Sequence, residues 1–104
     1  MKLCIITDDK MIAKDDEAYS GLDISCIPTT IHALQWNETS GEIEYKSTGI
    51  YTKPANEHIT ALPDWIDTAL IIWEEGKIAE AARIQAEAAR QARNQPVAAG
   101  VQTL

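Results

Sequence analysis

Apolar and polar positions alternate twice between Ile31 and Tyr45, in IHALQW and again in GEIEY, with the polar stretch NETS between them. That order predicts a β-hairpin. Pairing Trp36 with Gly41 leaves a four-residue loop and sets Leu34 opposite Ile43 and His32 opposite Tyr45. The strand period of two then puts His32, Leu34, Trp36, Ile43 and Tyr45 on one apolar face. Ala33, Gln35, Glu42, Glu44 and Lys46 fall on a wet one.

Upstream, KLCII (2–6) predicts a strand, TDDK a turn, and MIAKDDEAY an antiparallel return. SGLDISCIP, bounded by Gly21 and Pro28, fits a short strand or an extended crossover equally well. Downstream, STGIYTKPANEHIT reads as an irregular connector, because Pro54 cannot continue a central strand. The period then changes. Leu62, Ile66, Ala69, Leu70 and Trp73 recur at spacings of three and four, a helical stripe suited to covering the hairpin's apolar face. Thr60 fits as its cap, with Pro63 in the first turn, and Asp64 and Asp67 suit the positive end of the helix dipole. The helix is expected to reach about Asn94, with Pro96 as a stop and 96–104 as a flexible end.

Beyond Gly76 this helix loses its bulk. KIAEAARIQAEAARQAR holds seven alanines and two isoleucines, Ile78 and Ile84. Gly76 itself costs about 1 kcal/mol relative to alanine in a helix interior, so a bend or break is expected there. The expected architecture is α+β: a small antiparallel sheet of two hairpins followed by one long C-terminal helix with an alanine-rich extension. It forms a single domain, with the sheet and first half of the helix in 1–75, the extension in 76–95 and the tail in 96–104.

Composition changes this picture in one respect. The 104 residues include no Phe, three Trp and three Tyr, so apolar bulk is scarce and a partner or a second copy is a natural way to cover the helix. Charge is uneven: residues 1–75 carry 14 acids against five bases, and 76–104 carry two acids against four bases. An acidic body disfavours nucleic acid, whose phosphates require clustered Lys and Arg. The apolar run LCIIT is shorter than the ~7–15 residues of a secretory signal core, and no run approaches the ~20 needed to span a membrane. Cys4 and Cys26 are accordingly expected as reduced, buried thiols.

No arrangement of residues predicts catalysis. His32 and His58 lack metal-ligand spacing, the five glycines are isolated, and DDKMIAKDDE lacks the ligand order of a calcium loop. No catalytic residue, metal ligand or cofactor is expected. Ile66, Leu70, Trp73, Lys77, Ala81, Ile84 and Ala88 do repeat near a heptad, with Lys77 as its flaw. Candidate partner-binding residues are therefore Trp65, Lys77, Ile78, Ala81, Ile84, Ala88 and Arg90. Leu34, Trp36, Ile43, Tyr45, Ile66, Leu70 and Trp73 are the expected core.

The succession HALQW (32–36), GEIEY (41–45), KPANEHIT (53–60) and a Trp-bearing helix trailing into Ala, Glu, Arg and Gln resembles small proteins of tailed bacteriophages and prophages. These are the tail-fibre assembly, or tail accessory, proteins. The resemblance covers roughly residues 20–93 and is most specific in the hairpin and in Asn56-Glu57. It implies a non-enzymatic protein that binds a tail-fibre or tail protein and helps it fold, assemble or attach. Its place would be the host bacterial cytoplasm or the virion tail, with no nucleic acid or membrane partner and with self-association through the C-terminal helix open. Two alternatives remain at this stage: a structural tail or fibre-adaptor subunit of the virion, and a small acidic inhibitor of a host protein.

Overall fold

In a computed structural model, described over residues 1–94, the chain forms six antiparallel strands and one long helix. The strands are β1 (Lys2–Ile6), β2 (Met11–Lys14), β3 (Glu17–Tyr19), β4 (Ile31–Asn37), β5 (Ser40–Tyr45) and β6 (Glu57–Ile59); the helix is α1 (Ile66–Asn94). The α+β expectation holds, although the sheet is larger than two hairpins. Its order is β3-β2-β1-β4-β5-β6, two three-stranded meanders joined where β1 pairs with β4.

Each extra strand has a local cause. MIAKDDEAY is two strands rather than one, because Asp15 (φ 49°) and Asp16 (φ 70°) both adopt the left-handed conformation of a tight hairpin turn. KPANEHIT contains β6, an edge strand that pairs Ile59 with Gly41, His58 with Glu42 and Glu57 with Ile43. Pro54 lies before it and so loses no ladder bond. SGLDISCIP is a crossover with turns, and it returns the chain beside β1 while burying Ile27.

The opening hairpin keeps the expected Leu34–Ile43 and Trp36–Gly41 pairs. Asn37 also pairs with Ser40, so the loop is Glu38-Thr39 alone, with Glu38 at φ 62°. The pairing of His32 with Tyr45 is not formed. A bulge between Ile31 and Ala33 gives Tyr45 to Ile31 instead, and it reverses the alternation, as an extra residue must. Ile31 therefore enters the core while His32 is half-buried. Thr7 holds the bulge: its buried hydroxyl lies 3.0 Å from the carbonyls of both Ile31 and His32. Ala33, expected on the wet face, is buried although it lies outside the main core cluster.

That cluster joins Leu3, Ile5, Ile12, Leu34, Trp36 and Ile43 of the sheet to Ile66, Ala69 and Trp73 of α1. Tyr45 and Leu70 pack at its margin. The helix begins at Ile66 rather than after Thr60, the preceding residues forming bends and a turn closed by Ile66 N–H to the Pro63 carbonyl at 3.1 Å. It runs through Gly76 without interruption. Its closest approach is to β2 and β3 rather than to the β4–β5 hairpin. Gly76 lies at that approach: a Cβ there would stand 2.8 Å from Leu22 Cδ2, the mobile end of its side chain, and 3.5 Å from Tyr19 Cβ, an ordinary contact. The expected stop at Pro96 and flexible end at 96–104 lie outside the described residues.

Three substitutions test these placements by urea unfolding. A Cβ at Gly41 would lie 2.1 Å from the Gln35 carbonyl oxygen, which is backbone and cannot turn aside; Gly41→Ala is expected to cost about 1–3 kcal/mol or more. Gly76→Ala meets only the end of a flexible Leu, and its gain in helix propensity of about 1 kcal/mol offsets the clash, leaving stability nearly unchanged. Thr7→Val strips the bulge carbonyls of their donor and is expected to cost about 1–3 kcal/mol.

Candidate functional site: the uncovered length of the helix

A 29-residue helix is about 44 Å long, and the sheet covers only its first half. Ile66, Ala69 and Trp73 are buried, whereas Ile71, Ile78 and Ile84 are 60%, 62% and 54% exposed. Ala79, Glu80 and Arg83 still border a depression shared with Tyr19 and Leu22. Past them α1 projects. The radius of gyration, 20.2 Å, far exceeds the ~13 Å of a compact domain of this length.

The candidate residues do not share one face. At 3.6 residues per turn, Lys77, Ala81, Ile84 and Ala88 continue the stripe that Ile66 and Trp73 begin. Ile78 lies about a third of a turn away, and Arg90 on the opposite side. Trp65 precedes the helix, half-buried against the core. Lys77 is already engaged. Its ammonium stands 5.4 Å from the centre of the Trp73 ring and 3.8 Å from Glu17 Oε2, with Lys14 Nζ at 5.1 Å from the same ring. The flaw in the heptad is thus a lid on Trp73. Arg90 pairs with Glu87 at 2.6 Å and Arg83 with Glu80 at 2.6 Å. The second pair holds the Glu80 carboxyl below its ordinary range through hydrogen bonding with Arg83.

Trp73 anchors the arrangement. Its Nε1–H donates to the Glu17 carbonyl at 2.8 Å, and Tyr19 packs against its ring at a centroid distance of 5.9 Å. The Tyr19 hydroxyl donates to the Glu17 carboxylate, which together with partial burial raises its pKa to about 12. Tyr45 is likewise raised by donating to Glu57.

The sheet face away from α1 offers a second surface. Pairing aligns Ala13, Cys4, Gln35, Glu42 and His58 in one row across five strands, in an open depression of about 500 Å³. Three strand spacings part Cys4 from His58, about 14 Å, so they cannot act as a nucleophile–base pair. His32 Nδ1 instead lies 3.7 Å from Asp8 Oδ2. Both cysteines are free and half-buried, Cys26 with a thiol pKa raised by burial. Among the described residues no group of three His, Cys, Asp or Glu is placed to hold a metal, and no helix is long and apolar enough to cross a membrane.

One exposed feature escaped the sequence reading. Ile50 and Tyr51 are 89% and 98% exposed at the tip of a small β-bridge between Gly49 and Thr52. The signal was TGIYT, two large apolar residues flanked by turn formers with no alternation to bury them. Comparison with protein-family models, curated proteins and solved structures returned no match.

Tyrosinate absorbance tests the Tyr19–Glu17 bond. The neutral phenol is favoured by folding, so its contribution is complete below the ordinary pKa of about 10 and is lost as pH rises through about 12. Wild type is expected to show late-titrating tyrosines, of which Tyr19→Phe removes the latest and leaves that of Tyr45.

Proposed function

We propose that the protein is a non-enzymatic assembly factor for a phage tail fibre, binding a tail-fibre or tail protein through the projecting part of α1. One observation carries the reading: the helix's sheet-side stripe continues past the sheet as Ala81, Ile84 and Ala88, all exposed. An amphipathic stripe that outruns its own sheet suits helix-in-groove recognition. Ile84 is its one bulky residue, with alanines at neighbouring turns that permit close backbone approach. The client would be a fibre chain before trimerisation, when apolar surface and strand edges need cover. The hairpin resemblance supplies the phage context, and with it the host cytoplasm or the virion tail as the place of action.

Co-expression with the product of a neighbouring fibre gene tests this. The two chains are expected to co-purify, and the soluble, trimeric yield of fibre to rise. Ile84→Asp, on an exposed helix turn, is expected to leave the fold intact and weaken client binding at least tenfold, about 1.4 kcal/mol. Unchanged fibre solubility and trimer formation would refute the assembly role.

A further inference from the structure

The face of α1 that points away from the sheet is also uncovered, and its residues complement one another when two helices run antiparallel. Ile71, Ile78, Ala82 and Ala89 lie within about 40° of one another around the helix, roughly opposite Ile66, Ala69 and Trp73. Ile71 and Ile78 are the more exposed of the helix's large apolar side chains, and Ala82 and Ala89 are exposed as well. Asp67 and Arg93 flank this stripe at its two ends, both exposed.

We propose that a second copy of this chain covers the outer face of α1, forming a two-fold antiparallel helix pair with the sheets on the outside. The register follows from the sequence. Setting Asp67 of one copy beside Arg93 of the other brings Ile71 level with Ala89 and Ile78 level with Ala82, because each of these pairs is centred on residue 80. Every isoleucine then meets an alanine, so the bulky side chains fill the space that the small ones leave. Opposite charges meet at both ends.

Charge complementarity extends beyond those ends. The first part of the helix carries Asp67, Glu74 and Glu75 without a base, and the remainder carries Lys77, Arg83, Arg90 and Arg93 against Glu80 and Glu87. An antiparallel pair lays each acidic part along the basic part of the other copy. A parallel pair stacks like on like, which disfavours that alternative. Since α1 meets β2 and β3 on its other side, the pairing leaves the helix–sheet packing undisturbed. The Trp73 anchor and the Ile84 stripe stay outside the seam. The inference does not rest on the client reading, because it concerns the protein alone and a different face of the helix.

Light scattering of the full chain over a concentration series tests it first. The expected mass is twice 11.5 kDa at the upper end, and a mass of one chain throughout would overturn the proposal. Ile78→Lys is expected to shift the protein to a single-chain mass with unchanged circular dichroism. A dimer that survives it but yields to Ile84→Asp would place the seam on the sheet-side stripe and so refute it. Orientation is read by cross-linking in a background of Cys4→Ser and Cys26→Ser. Ile71→Cys chains mixed with Ala89→Cys chains are expected to join unlike to unlike; like-to-like products would overturn the antiparallel register. Asp67→Arg is expected to weaken the dimer, and adding Arg93→Asp to restore it.

Discussion

The seat of Trp73 on β3 is the constraint on which the remaining architecture depends. β3 is a three-residue edge strand, and such an edge leaves backbone groups without a ladder partner. The Trp73 indole ties this edge strand to the helix by donating to the Glu17 carbonyl, while its ring fills the angle between helix and sheet. Tyr19, Lys14 and Lys77 close around that ring, and Glu17 gathers the Tyr19 hydroxyl and the Lys77 ammonium. One side chain thus couples apolar burial, a part-buried hydrogen bond and two cation–π contacts. Gly76, a turn further on, lies where the helix backbone comes close to Tyr19 and Leu22.

Because the anchor lies on β3, the helix crosses the N-terminal meander and projects beyond its edge. The β4–β5 hairpin, with the most regular alternation in the chain, contributes Leu34, Trp36 and Ile43 to the core but does not carry the helix. This placement sets what remains accessible. The helix keeps two bare apolar stripes, one in line with the core and one opposite it. The sheet keeps an open polar face on which Cys4 and His58 stand three strands apart.

The alternating stretches, the change to helical spacing at Leu62 and the loss of bulk after Gly76 determined by themselves the central hairpin, the sheet-then-helix order and a helix too long for its sheet. Period and composition suffice for that, being local properties of the chain. The Leu34–Ile43 register was equally legible, because shifting it would expose an entire apolar face. Tertiary structure alone decided the rest. The bulge that trades His32 for Ile31 depends on Thr7, 24 residues away in sequence, and β6 exists because Gly41 and Ile43 offer it an edge. Lys77 looked like a heptad flaw until Trp73 and Glu17 came to lie beside it. Contacts between distant segments leave no periodic trace in a sequence, so the choice of which meander would carry the helix, and which helix face would stay bare, was made only on folding.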